Sequence, residues 1–163
     1  MFNNLSPSLR QGTFFGVNSG IITTLGLIAG VTQSTTNYIV VIVSVVSLAI
    51  SDSVSEAYGL YISKKAEKPN DKGTSPFNSF MGLLVMKFVI VMSFLIPFLF
   101  SKNLKYFKNL VWPLGWAIIL LTILDCQLAK MRNEKKEDYI FKHIIIVAIV
   151  VILAKYFGKK ISH

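Results

Sequence analysis

Two acidic residues, Asp52 and Glu56, interrupt a long apolar stretch that begins with YIVVIVSVVSLAI. Residues four positions apart lie on the same face of an α-helix, about one turn from each other. Ser51, Ser53 and Ser55 add hydroxyl oxygens around the two carboxylates. Hard oxygen donors of this kind suit magnesium, calcium, manganese and ferrous iron better than copper(I). The segment therefore predicts a metal-binding site whose ligands are Asp52 and Glu56.

The elements that would position these carboxylates are apolar helices. Hydrophobic residues make up 53% of the 163-residue chain and charged residues 15%, and the mean hydropathy is +0.58. Long apolar runs with few charges are typical of membrane spans, and a lone strand would leave its backbone unpaired in hydrocarbon. We predict an all-α polytopic membrane protein, a five-transmembrane-helix bundle in which residues 1–163 form one transmembrane domain. The predicted spans are 14–31, 38–63, 77–100, 109–128 and 139–157, and residues 1–13 are expected at the surface or along the interface.

The chain is basic, with a formal net charge of +9. In a soluble protein this excess would suggest a nucleic-acid partner. Here the lysines fall in short segments between apolar runs, such as 64–65, 102–108 and 130–136, where they are expected to anchor helix ends at lipid headgroups. We therefore predict the lipid bilayer as a partner and no nucleic acid. If the N-terminus is cytosolic, the cytosolic side carries more lysines and arginines than the opposite side, which is the orientation that this bias favours.

Lys87 lies in the middle of the third predicted span and provides an alternative explanation for the acidic pair. Counted from the cytosolic helix ends at about 1.5 Å per residue, Lys87 lies about 15 Å deep, Asp52 about 16 Å and Glu56 about 10 Å. Lys87 could therefore form a structural ion pair with Asp52. That pairing would leave Glu56 free and would place a positive charge beside any cation path.

The first predicted helix carries small residues at helical spacing, including the pairs Gly16–Gly20 and Gly26–Gly30. Pairs of this type let helices approach closely. They predict tight packing against another helix or against a second copy of the chain. The same small, hydroxyl-bearing face could also line a polar path, and the two readings agree if the path lies at an oligomer interface.

Other side chains offer weaker chemistry. His143, a lone histidine near a helix start, is expected at the interface rather than as a metal ligand. The sequence contains no Gly-rich phosphate loop, paired-cysteine metal site or nucleophile–base arrangement. We therefore predict that the protein is not an enzyme and binds no permanent cofactor.

Two segments, GVNSGIITTLGLIAGV in the first predicted helix and ISDSVSEAYGLYISKKAE in the second, carry a family resemblance. They resemble the first two helices of the vacuolar iron transporter family, including its nodulin-like members. In the first segment the matching positions are Asn18, Gly20, Thr24, Leu25, Gly26, Leu27 and Gly30. In the second they are Asp52, Ser55, Ala57, Gly59, Tyr61 and Ser63.

The resemblance implies a dimeric five-helix bundle that moves ferrous iron, and often manganese, out of the cytosol in exchange for protons. The membrane would be vacuolar or another endomembrane, or the plasma membrane in a prokaryote. The first two helices would line the path near the interface of a homodimer formed through the glycine-rich first helix. Asp52 carries over directly as a metal ligand. The expected path-lining residues are Asn18, Ser19, Gly20, Thr23, Ser55 and Tyr61.

The sequence also departs from the family pattern. The family's first-helix aspartate is Ser19 here, the methionine after the serine is Glu56, and the glutamate before the tyrosine is Leu60. A short loop replaces the cytosolic metal-binding insert of larger members. The leading hypothesis is a divalent-metal transporter that uses Asp52 and Glu56. The alternative is a non-transporting membrane scaffold or regulator derived from the same bundle.

Overall fold

The computed structural model describes residues 5–67, 75–96 and 110–161, and within these ranges the regular structure is helical without strands. Five helices follow one another along the chain: α1 (Pro7–Ser34), α2 (Tyr38–Ala66), α3 (Pro76–Ser93), α4 (Val111–Arg132) and α5 (Lys136–Ile161). By length and composition, all five can cross a membrane. The predicted all-α, five-helix membrane architecture is therefore confirmed, and the protein is an integral membrane protein. The division of the chain into one domain stays a prediction.

The helix starts follow from local capping chemistry. The hydroxyl of Ser6 accepts a hydrogen bond from the Leu9 amide at 3.3 Å, and Pro7 occupies the first helical turn of α1. Asn37 caps α2 by accepting from the Ile39 amide at 2.9 Å. These side chains satisfy backbone N–H groups that have no partner inside the helix, and proline is compatible with a first turn.

The observed bounds differ from the predicted spans mainly at the N-terminus. Helix α1 begins at Pro7 rather than at residue 14, and Ser8, Gly12 and Thr13 are buried. The expectation that residues 1–13 lie at the surface is therefore wrong for these three residues, since they pack between helices. Helices α4 and α5 extend to Arg132 and Ile161, beyond the predicted ends. Residues 97–109, which include the predicted end of the third span and a basic connector, lie outside the described residues.

Helix α1 occupies the centre of the bundle and contacts each of the other four helices. Its glycines allow unusually close backbone approach. A Cβ atom added to Gly16 would lie 2.7 Å from the Leu83 carbonyl oxygen on α3, and one added to Gly158 on α5 would lie 2.4 Å from the Gly30 carbonyl oxygen. The small residues of α1 therefore pack against α3 and α5 of the same chain.

The outer faces of the helices are apolar. Exposed large side chains are found on α2, α4 and α5, with examples at Ile50, Val54, Ile118, Ile149 and Ile152. Such a surface fits the hydrocarbon of a bilayer, where apolar side chains need no water. The described residues therefore support association with lipid.

Candidate cation site

Three helices bring one basic and two acidic side chains together in the interior of the bundle. Lys87 on α3 places its Nζ atom 2.6 Å from Oδ2 of Asp52 and in contact with Oε2 of Glu56, both on α2. Nζ also donates a hydrogen bond of 3.0 Å to Oγ of Ser19 on α1. We call Ser19, Asp52, Glu56 and Lys87 the acidic cluster. Its ionised groups sum to one net negative charge.

Glu56 is held by two partners. The Ser19 hydroxyl, which donates toward this carboxylate, lies 2.9 Å from Oε1 and 2.8 Å from Oε2. The expectation that pairing of Lys87 with Asp52 would leave Glu56 free is therefore wrong. Because Asp52 and Glu56 lie one helical turn apart on one face, a single long lysine side chain can end between them.

Lys87 is completely buried, and a lysine in that position needs acceptors for its three N–H bonds. The two carboxylates and the Ser19 hydroxyl supply three oxygens. Space for the lysine stem comes from α1, because a Cβ atom added to Gly20 would lie only 3.4 Å from Cγ of Lys87. The small residue at position 20 thus packs against the Lys87 stem.

The two carboxylates of the acidic cluster are partly exposed. The side chain of Asp52 is 32% exposed and that of Glu56 is 28% exposed, whereas Lys87 is fully enclosed. The contact between Asp52 and Lys87 is a close ion contact without hydrogen-bond geometry at Oδ2. The acidic cluster therefore presents carboxylates toward the exterior of the chain and a fixed positive charge toward its interior.

A comparison with known families bears on this arrangement. The model of the VIT family matches residues 10–76, which contain α1 from Arg10 onward and all of α2, and which end at the first residue of α3. The N-terminal part of the chain is therefore similar to the VIT family. The match covers less than half of the chain, and no curated protein or solved structure gives a significant match. The VIT family is a transporter family, which is consistent with the prediction that the protein is not an enzyme.

Some of the predicted path-lining residues surround the acidic cluster. Thr23 donates its hydroxyl to the Ser19 carbonyl oxygen at 2.9 Å, one turn earlier in α1. Asn18 and Ser53 each hold a buried side-chain oxygen without a hydrogen-bond partner in the described part of the chain. Polar atoms thus continue along α1 and α2 beyond the four residues of the cluster.

The other two predicted path-lining residues lie on α2. Ser55 is exposed. The Tyr61 ring packs edge-to-face on Phe80 at 6.4 Å, and the Lys65 ammonium lies 5.1 Å from its centre. The contact with Phe80 joins the end of α2 to α3, so packing between these helices explains the position of Tyr61.

Metal ligation by the described residues is limited. They contain no group of three or more histidine, cysteine, aspartate or glutamate side chains that could hold a metal ion. Asp52 and Glu56 therefore supply two carboxylates, and further oxygens would have to come from hydroxyls such as that of Ser19, or from water. Oxygen ligands of this type fit a hard divalent cation.

Sequence reasoning missed a second polar pair, which joins α4 and α5. Asp125 on α4 is buried, and its Oδ1 lies 2.7 Å from Nδ1 of His143 on α5. His143 was expected at the interface, but its side chain is only 15% exposed. Asp125 interrupts an apolar run, as Asp52 does, and this pattern was the signal in the sequence for a second polar site. Its partner could not be identified because the contact joins two helices.

Proposed function

We propose that this protein moves a divalent metal ion, ferrous iron or manganese, out of the cytosol. The observation that supports this most directly is the acidic cluster, in which Asp52 and Glu56 are embedded in an apolar helix yet remain about one-third exposed. Charged groups inside a membrane usually face a cavity or a partner and mark ion paths. The oxygens of both carboxylates suit ferrous iron and manganese.

Lys87 gives the proposal a specific physical requirement. Its ammonium lies between the two carboxylates, where an incoming cation would have to bind. A divalent ion must therefore compete with a tethered positive charge for the same oxygens. We infer that metal binding requires the Lys87 side chain to turn away from Asp52 and Glu56.

Proton exchange is the second part of the proposal. Cations and protons compete for carboxylates, so binding a metal between two coupled acids can release protons. With a cytosolic N-terminus, the metal would enter from the side where α2 ends and α3 begins. The membrane would be vacuolar or another endomembrane, or the plasma membrane in a prokaryote.

Metal flux into liposomes that contain the purified protein tests the proposal. Iron(II), manganese, magnesium and calcium are compared with and without an imposed pH gradient. The double variant Asp52→Ala with Glu56→Gln should lose flux, whereas Glu67→Gln, which changes an exposed carboxylate at the end of α2, should retain it. Unchanged flux in the double variant would remove both residues from the mechanism.

A homodimer belongs to the same proposal. The glycines of α1 already pack within the chain, Gly16 on α3 and Gly26 on α5. A dimer contact through those glycines would therefore displace α3 or α5. A dimer that keeps the bundle intact would have to use other surfaces of α1 and α2. Chemical crosslinking of the protein in liposomes, followed by mass measurement, distinguishes a dimer from a monomer.

One observation favours a second candidate function, a non-transporting scaffold or regulator. Lys87 is fully buried and contacts both carboxylates, as a structural ion pair would. The charge swap Asp52→Lys with Lys87→Asp separates the two functions. If each single change unfolds the protein, the double change restores it, and the parent moves none of the four metals, then the carboxylate is structural.

A further inference from the structure

Asp125 and His143 form a buried polar pair that the acidic cluster does not include. The Asp125 side chain is 1% exposed, and its Oδ1 lies 2.7 Å from Nδ1 of His143. The other carboxylate oxygen, Oδ2, is buried and has no hydrogen-bond partner among the described residues. Among the described residues, the His143 imidazole is thus the polar partner of the Asp125 carboxylate.

The surroundings of the pair are apolar. A cavity of about 390 Å³ lies between α4 and α5, and both residues line it together with aliphatic side chains such as Leu121, Ile144 and Val147. If Asp125 is ionised and His143 neutral, the pair carries one negative charge, which such surroundings disfavour. One added proton makes the pair neutral, whichever atom carries that proton.

We propose that Asp125 and His143 form an exchangeable proton-binding site, separate from the acidic cluster. Each residue lies about 10 Å, or roughly two helical turns, from the end of its helix at the connection between α4 and α5. His143 is partly exposed. The pair therefore exchanges its proton with the aqueous side at that connection, which is the side of proton release if the N-terminus is cytosolic and metal leaves the cytosol in exchange for protons.

A proton fits this site better than a metal ion does. The pair offers one imidazole nitrogen and one carboxylate, and no third ligand of these types joins it among the described residues. Thr122 also lines the cavity, but its hydroxyl donates to the Ile118 carbonyl oxygen of its own helix at 2.7 Å. A metal would lack further ligands there, whereas a proton needs only the two atoms that are already in contact.

Few charged groups surround the pair. Helix α1, which packs against both α4 and α5, carries one charged residue, Arg10. By sequence position, the titratable side chains within about two turns of the pair on its own helices are Cys126, Lys130 and the exposed Arg132 on α4, and Lys136, Glu137, Asp138, Tyr139 and Lys142 on α5. Cys126, Lys130, Lys136, Glu137 and Lys142 are exposed, and Tyr139 donates its hydroxyl to Glu134. The carboxylate–imidazole contact is therefore the closest electrostatic interaction described at the site.

Use of this proton in metal exchange rests on the proposed function, whereas proton binding itself does not. If metal leaves the cytosol in exchange for protons, a proton site on α4 and α5 would keep the proton away from the oxygens that bind the metal. The two sites would then sit on different helices of one bundle.

Histidine NMR tests the site directly. The chain contains two histidines, so the variant His163→Gln in lipid nanodiscs gives imidazole signals from His143 alone. We expect those signals to change with pH. Adding Asp125→Asn, which removes the carboxylate in contact with the imidazole, should alter that pH dependence. Adding Glu134→Gln instead, which alters an exposed carboxylate of the same connection, should leave it unchanged.

Two results would overturn the proton site. One is the absence of any titration of His143 in the His163→Gln protein, which needs no further variant to fold. The other is an unchanged pH dependence of the His143 signals after Asp125→Asn in a folded protein. Metal flux measurements distinguish failure of the proton site from failure of the proposed transport function. The Asp125→Asn protein should lose the dependence of flux on a pH gradient and keep flux down a metal gradient.

Discussion

Replacement of Lys87 by methionine tests the charge arrangement of the acidic cluster. Methionine keeps a long, unbranched side chain and removes the positive charge. Unit charges 2.6 Å apart, the Nζ–Oδ2 distance to Asp52, attract by about 6 kcal/mol at an effective dielectric constant of about 20. Desolvation of the buried ammonium offsets part of this, and removing one partner of a buried pair costs about 3–5 kcal/mol. Because the carboxylates are partly exposed, we expect a loss near the lower end, about 3 kcal/mol.

The same reasoning predicts an asymmetry between the partners. Lys87→Met leaves two uncompensated carboxylates, whereas Asp52→Asn leaves Glu56 and Lys87 as a neutral pair. Asp52→Asn should therefore cost only about 1 kcal/mol, because it removes one ion contact of a partly exposed carboxylate and leaves no charge uncompensated. As a matched control, Arg132→Met breaks an exposed ion contact of 3.6 Å with Glu134 and should cost less than about 1 kcal/mol.

Equilibrium unfolding in mixed micelles measures these differences in the free energy of unfolding. A manganese titration adds a second readout, since Lys87→Met leaves a doubly negative site without a tethered competitor. Manganese at about 100 times its dissociation constant should stabilise that variant by about 2.7 kcal/mol and the parent by less. The reasoning is refuted if Lys87→Met unfolds like the parent, or if Asp52→Asn costs as much as Lys87→Met.

Two further predictions concern helix packing and helix ends. Gly16→Val should cost at least about 1–3 kcal/mol of unfolding free energy, since its Cβ would lie 2.7 Å from the Leu83 carbonyl oxygen. Gly59→Val is the control, because a Cβ at that position meets nothing within 4 Å. Equal losses of stability in the two variants would contradict the close packing of α1 on α3. Asn133 ends α4 in the left-handed region at φ 54°, so Asn133→Val should lower the thermal midpoint while Asn133→Gly preserves it. A valine variant as stable as the glycine variant would show that this conformation is not required.

The five helices could be predicted from sequence because hydrocarbon thickness demands long apolar runs. The start of α1 could not be predicted from hydropathy. Ser8 and Thr13 are polar, yet both are buried, because small polar residues suit close contacts between helices as well as they suit a surface. The Ser6–Pro7 pair gave a local starting signal that hydropathy does not register.

The acidic cluster was only partly predictable. Counting along the helices placed Lys87 level with Asp52, and the structure brings these two side chains into contact. Depth alone, however, does not give the rotation of a helix about its axis. The contact of Lys87 with Glu56, and the hydrogen bond from Ser19, depend on that rotation. The contact between Asp125 and His143 was unpredictable for the same reason.

The partial exposure of Asp52 and Glu56 constrains the outer surface of α2 under either candidate function. A carboxylate that faces hydrocarbon costs at least about 2.5–3.5 kcal/mol near the bilayer centre. The neighbouring Ser55 is also exposed, and the space around Gly59 is open. This strip of α2 is therefore a poor surface for lipid and a suitable one for water or a second chain. Either water or a second chain at this strip would spare the two carboxylates the cost of facing hydrocarbon.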